Sequence, residues 1–283
     1  MNLKYLRSKR IKGGAAIYHL VMIILCLVWL IPLFWTVSLS LTPNEILKVD
    51  SQNLIPPAFT FSNYAEVFEA GLTSRWFINS LIVTVITTVI TVFVCATAGY
   101  AFAKLPFYGR MFIYALTLAG MMVPKEAMFV PLFMMFADSN LHNTYTALIL
   151  PRIAFPLGVF IMTQFFSQVP DELEEAARVD GASQWRLFFS IMIPMARPSM
   201  IALATFTFVQ SWNDYLWPLV SATKPEMFTV TTGLASLQGN FAQSTELGSL
   251  MARGVVGSLP LLIMFLLLQK YLIRGISMSS GNK

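Results

Sequence analysis

The stretch EEAARVDGASQWRLFFSIMIPMARP, Glu174–Pro198, is the polar centre of a chain that is otherwise mostly apolar. Just before it, Pro170 suits the start of a helix, and Asp171 with Glu174 loosely matches a capping box. Acids in a first turn favour the positive end of the helix dipole. Glu174 and Arg178 stand four apart, on one helix face, and can pair. Gly181 is placed to end that helix in a left-handed conformation. Ser183 then caps a second helix, whose Trp185, Leu187, Phe188, Phe189 and Ile191 supply an apolar surface. Pro194 breaks that run, and Pro198 marks the entry to the next apolar stretch. The segment reads as a helix–turn–helix at a membrane surface. Its second half packs on a helical bundle, while its first half, small and charged, suits a groove on another protein. The plain alternative is a solvated amphipathic connection.

The rest of the chain supplies the membrane. Of its 283 residues 56% are hydrophobic and only 12% charged, whereas a soluble domain carries about 25% charged residues. A spanning helix needs about 20 mostly apolar residues. Six stretches qualify: Ile17–Leu41, Phe77–Ala103, Met111–Phe136, Thr146–Phe166, Ser199–Ala222 and Val255–Ile273. The first is too long for a signal-peptide core and lacks a small-x-small cleavage site, so it is expected to remain as an anchor.

Lysine and arginine orient the spans. Thirteen of the 19 lie on one side, in the N-terminal tail, the turn after the second span, the Glu174–Pro198 segment and the C-terminal end. Both termini are therefore expected in the cytoplasm. The net charge of +5 forms no basic face with interleaved aromatics, which argues against nucleic acid. Cys26 and Cys95 lie inside apolar runs, and His19 and His142 lack ligand spacing, so neither a disulfide nor a metal site is expected.

Glu175-Ala176-Ala177, Asp180-Gly181-Ala182, Ile191 and Ile193-Pro194 closely resemble the EAA signature of bacterial ABC importer permeases, with Ile193 standing where the family usually has leucine. The resemblance extends along most of the chain. WLIPLFWTVSLSL (Trp29–Leu41), NSLIVT (Asn79–Thr84), AGYAFAKLPFYGR (Ala98–Arg110) and SWNDYLWPLV (Ser211–Val220) are similar to the carbohydrate-uptake subfamily. QKYLIRGIS (Gln269–Ser277) resembles the tail of G-type maltose permease subunits and diverges after Gly275.

The resemblance implies an all-α integral membrane protein with six transmembrane helices in the type I, MetI-like permease fold. Residues 1–16 would be a cytoplasmic tail, 17–41 the first transmembrane helix and 42–76 an extracytoplasmic loop. Residues 77–273 would be the core permease domain, holding five spans and the cytoplasmic coupling loop 170–198, and 274–283 a second tail. It implies a bacterial inner-membrane permease subunit moving a carbohydrate by alternating access. The implied partners are a second permease subunit (MalF-like), two ATPase subunits and an extracytoplasmic solute-binding protein. ATP and Mg would be bound by the ATPase partners and no cofactor by this chain, which has no G-x-x-x-x-G-K-[ST] phosphate loop and is not expected to be an enzyme. ATPase coupling would fall to Glu174, Glu175, Ala176, Ala177, Asp180, Gly181, Ala182 and Pro194, with Glu175 pairing with a basic residue of the ATPase. The polar loop Leu237–Glu246, including Gln238, Gly239 and Asn240, would reach into the solute-binding protein; a plain surface loop is the alternative.

Polar groups inside the spans leave two readings open. Lys125 and Glu126, between Pro124 and Pro131, line the translocation pathway or serve as structural and snorkelling charges. As sequence neighbours they do not face each other on a helix and are expected to find other partners. Arg152 is expected to snorkel or to pack against a partner. Trp212, Asn213, Asp214 and Tyr215 form an aromatic–polar cluster that contacts sugar or locks helices, the latter being favoured. Rival classes are a membrane-embedded enzyme, unsupported by any catalytic cluster, and an ion-coupled secondary transporter, which would not need the coupling segment. Within the ABC class, a polyol, glycerol phosphate or acidic oligosaccharide is the alternative solute.

Overall fold

The computed structural model describes residues 3–52, 54–69, 71–238 and 246–280, and every regular element among them is helical. The α-helices are α1 Leu3–Ser40, α2 Asn44–Leu47, α3 Ser62–Glu69, α4 Leu72–Lys104, α5 Arg110–Ala119, α6 Phe129–Asp138 and α7 Tyr145–Ile153. They continue with α8 Pro156–Ser167, α9 Asp171–Val179, α10 Gln184–Leu187, α11 Ile193–Trp212, α12 Leu216–Ser221, α13 Val230–Gln238 and α14 Leu247–Ser280.

Four helical runs are long and apolar enough to cross a membrane: Ala15–Ser40, Leu72–Lys104, Gln184–Trp212 and Leu247–Gln269. Two bent pairs raise the number to six if each is one span. The run Arg110–Met122 meets Lys125–Asp138 at 96°, and Tyr145–Ile153 meets Pro156–Ser167 at 46°. Both breaks fall at proline. Val123 before Pro124 and Phe155 before Pro156 have left the helical region, with ψ of 117° and 84°, because proline disfavours helix in the residue before it. The third and fourth expected spans are thus pairs of half-helices rather than single rods.

The fifth expected span also differs. The second helix of the patterned segment does not stop at Pro194. It runs unbroken from Gln184 to Trp212, with a π-helical turn at Phe188–Met192. That widened turn accommodates Pro194, which has no N–H to offer the carbonyl four residues back. Pro198 lies inside α11. The helix ends at Trp212 instead, and α12 follows after a break at residues 213–215.

The chain divides into two compact units, residues 1–70 with 237–256 and residues 71–236 with 257–283. In the first, Asn63 is fully buried and donates to the Ser40 and Thr42 carbonyls at 2.9 Å each. Asn44 donates to Asn63 at 3.1 Å and accepts from the Gly248 N–H at 2.8 Å. These side chains bind the end of α1, the short helices α2 and α3 and the start of α14 into one cap.

The second unit is built on α4, which packs on α7, α8 and α11. Its core holds Cys95, Ala96, Tyr100, Met162, Phe166, Leu187, Met192, Ala196 and Leu203. Gly99 sets the closest approach: a Cβ there would sit 2.5 Å from the Met162 Cβ. Small residues at such crossings let backbones meet, which is how helices gain packing energy in lipid.

Candidate coupling segment and polar groups at depth

The sequence places α9 where a helix begins after Pro170, and three acids, Asp171, Glu172 and Glu174, occupy its first turn. Pro170 is the N-cap and no side chain caps it, so the capping box suggested by Asp171 and Glu174 does not form. Gly181 ends the helix at φ +77°, and the Ser183 hydroxyl caps α10 by accepting from the Arg186 N–H at 3.3 Å. Glu174 and Arg178 approach to 3.6 Å.

The faces of α9 are unequal. Glu175, Ala176 and Asp180 are exposed, as are Leu173 and Val179. Glu174 and Ala177 are buried against the chain's own bundle. Those two residues therefore face inward and leave the outward face to Glu175 and Ala176. Ala182 and Pro194 are half-buried, and Ala182 packs on the core. Trp185 and Phe189, one turn apart, stack at 6.1 Å and remain exposed.

The root of α9 is fastened by two residues of α4 that the sequence reading used only for orientation and family likeness. Lys104 ends α4 with its side chain only 5% exposed. Its ammonium donates to the Val169 carbonyl and to the Asp171 carboxylate, both at 2.5 Å, and lies 4.0 Å from Glu174. Tyr100, one turn earlier, accepts from the Gln184 amide at 2.6 Å and packs on Phe166 and Phe188. The hydrogen bond and charge of Lys104 hold the Asp171 carboxyl below its ordinary value. Burial pushes Glu174 up, with Asp171 adding to the rise while Lys104 and Arg178 oppose it. The four-residue spacing of Tyr100 and Lys104 was the available signal, since it puts both on one face of α4.

Deeper in the bundle the structure sorts the polar groups. Arg152, at the end of α7 beside the bend, forms an ion pair with Asp214 in the break between α11 and α12. Thr231 donates to the Asp214 carbonyl at 2.5 Å. Lys125 donates to the Gln210 side chain of α11 at 3.0 Å. It therefore pairs elsewhere than with Glu126, which is exposed. Asn213 bonds back to the Val209 carbonyl at 3.0 Å, ending α11, and Tyr215 is exposed. Trp212 donates to the Gly257 carbonyl at 3.0 Å. The break thus brings Lys125, Asp214 and Arg152 into one polar region, with Arg152 already neutralised.

At the other end of the second unit, the segment after α12 is stapled down. Asn79 donates to the Glu226 and Phe228 carbonyls and accepts from Tyr145 at 2.7 Å. Asn143, at φ +61°, accepts from the Thr223 and Lys224 N–H groups. Gln238 closes α13; Gly239 and Asn240, expected in a partner-binding loop, lie outside the described residues.

Comparison with known proteins agrees with this architecture. The model of the family described as binding-protein-dependent transport system inner membrane component matches residues 96–278. The arabinooligosaccharides transport system permease protein AraQ of Bacillus subtilis (strain 168) is 38% identical over 256 residues, covering 89% of this chain and 90% of that protein. The diacetylchitobiose uptake system permease protein NgcG of Streptomyces coelicolor is 34% identical over 266 residues, covering 93% and 87%. In the crystal structure of a bacterial ABC transporter involved in the import of the acidic polysaccharide alginate, one chain superposes with a TM-score of 0.77 at 22% identity, covering 94% of this chain and 98% of that one.

Proposed function

Because this chain belongs to the binding-protein-dependent transport system inner membrane components, we propose that it is a permease subunit of an ABC importer for a carbohydrate. The observation that carries the proposal is the build of the α9 segment. It turns Glu175 and Ala176 outward, is fixed at its root to α4, and leads through one continuous helix into the membrane. A push on such a segment is delivered into two spans at once.

The importer would comprise this chain, a second permease subunit, two ATPase chains that bind ATP and Mg, and an extracytoplasmic solute-binding protein. Closure of the ATPase pair around ATP would move the docked α9 and rock the spans towards the outward-open state. A ligand shifts such an equilibrium only by its differential affinity for the two states. ATP and the loaded binding protein would both favour the outward state, and α9 would carry the coupling free energy between them. Glu175, Ala176, Asp180 and Gly181 would form the docking end, with Glu174 and Ala177 holding it to the bundle. Residues 238–240 are assigned by resemblance to the contact with the solute-binding protein.

Carbohydrate is favoured as the solute by the names of the relatives and by the charge at depth. Arg152 is matched by Asp214, so that pair presents little net charge to a solute. A second reading, an anionic solute such as glycerol phosphate or an acidic oligosaccharide, draws on Lys125, whose hydrogen-bond partner Gln210 is neutral. A cysteine at Glu175 tests the coupling assignment: it should capture an ATPase subunit on oxidation in native membranes, and absence of capture refutes it. Calorimetry of the cognate solute-binding protein against neutral pentose oligosaccharides and against glycerol 3-phosphate decides between the solutes.

A further inference from the structure

Lys104 is an unusual residue to find at the end of a span. Lysines at span ends ordinarily reach out to headgroups and water. The side chain of this one is only 5% exposed and makes three approaches, all to the entry of α9: the Val169 carbonyl, the Asp171 carboxylate and the Glu174 carboxylate. Tyr100, on the same face of α4, holds the far side of the segment through Gln184. Two residues one turn apart on α4 therefore grip the helix–turn–helix on both sides of its Gly181 turn.

From this geometry we infer that Lys104 is a positioning residue of the coupling machinery, which keeps α9 and α4 as one rigid piece while the importer cycles. The inference rests on the assignment of α9 as the coupling helix and deepens it. Without the clamp, displacement of α9 would pass along the chain to α8, which ends at Ser167, and to the span that begins at Gln184. With it, α4 receives the same displacement, and through α4 so does α7, which packs on it. Glu174 makes the arrangement exacting. Its Oε1 is buried without a hydrogen bond, and it lies between Lys104 and Arg178, with Asp171 and the Tyr100 hydroxyl as its other ionisable neighbours. Removing Lys104 leaves a buried carboxylate short of its nearer-to-buried counter-charge.

The test uses the assembled importer in lipid vesicles, with spin labels at exposed Val179 on α9 and exposed Val89 on α4. In the native background the label-to-label distance distribution is narrow and the same with and without the non-hydrolysable analogue AMP–PNP. Lys104→Met should broaden it and make it respond to AMP–PNP, and Lys104→Arg should restore the narrow distribution, which a merely volume-filling role would not require. If Lys104→Met fails to accumulate, Lys104→Met/Glu174→Gln leaves no carboxylate at that buried position and should show the same loss of rigidity. Distances that respond to AMP–PNP equally in the native and Lys104→Met backgrounds, or a double variant as rigid as the native protein, overturn the inference. Failure of the coupling assignment has a different signature: the cysteine at Glu175 then captures no ATPase subunit, whichever residue stands at position 104.

Discussion

The Gln184 amide donates to the Tyr100 hydroxyl across 2.6 Å, and that bond fastens the first turn of the long helix leading into α11 to the last turns of α4. The same ring packs edge-on to Phe166 at 5.5 Å and against Phe188 at 5.1 Å. Tyr100 thus joins α4 to two elements, to the long helix by a polar contact and its ring and to α8 by its ring alone. Tyr100→Phe keeps the ring and loses the bond, and should cost about 1 kcal/mol. Tyr100→Ala removes both and should cost about 3–5 kcal/mol. Thermal unfolding of the detergent-solubilised importer reads the difference; equal losses would mean the ring contacts contribute nothing.

The two acids beside Lys104 give opposite pH dependence. Asp171 titrates below its ordinary value because Lys104 donates to it and faces it with positive charge. Its support for α9 is complete above the ordinary carboxylate value of about 4 and is lost as pH falls through the lowered one. Glu174 titrates above its ordinary value because burial penalises its charge. Its contribution is complete below the ordinary value and is lost as pH rises through the raised one. Asp171→Asn should therefore flatten only the acid limb of the stability profile of α9, and Glu174→Gln only the upper limb. Hydrogen-exchange protection of the amides of residues 171–180, corrected for intrinsic rates, measures both limbs.

Gly181 isolates backbone strain from packing. Its φ is +77°, and a Cβ added there meets no atom within 4 Å. A β-branched residue therefore fits the space but not the conformation, at about 1–2 kcal/mol. Gly181→Val should loosen the turn and reduce cross-linking from a cysteine at Glu175, while Gly181→Asn, whose side chain tolerates the left-handed region, should retain most of it. Equal cross-linking yields in both variants would exclude the turn as a constraint on the docking end.

Much of this was legible because it is local. The α9 start, the Gly181 stop, the Ser183 cap and the Glu174–Arg178 pair each depend on residues within four positions of one another. Apolar length likewise located α1, α4 and α14. What sequence alone missed depends on neighbours that are distant in the chain. Pro194 reads as a helix breaker, yet a π turn and burial of Leu187, Phe188, Met192 and Ala196 in the core carry the helix through it. Lys104 reads as an orientation signal until Val169 and Asp171 are seen around it. The inward faces of Glu174 and Ala177 follow from where α4 lies, which no local pattern reports. Conversely, the bends before Pro124 and Pro156 follow a local rule that a search for continuous apolar stretches passes over.

Arg152 and Asp214 supply the last prediction. They come from α7 and from the break after α11, and their side chains are 21% and 10% exposed. The Arg152 Nε is buried and makes no hydrogen bond, so the pair depends on the carboxylate contact. Breaking a buried pair from one side strands a charge, at about 3–5 kcal/mol, whereas removing both partners is often nearly neutral. Arg152→Met and Asp214→Leu should each lower the thermal midpoint and the amount of importer in the membrane, and the double variant should recover most of both. With stability recovered, uptake by the double variant separates a helix lock from a solute contact. A structural lock predicts near-normal transport in it. Transport that stays lost despite full assembly would place the pair on the solute's path.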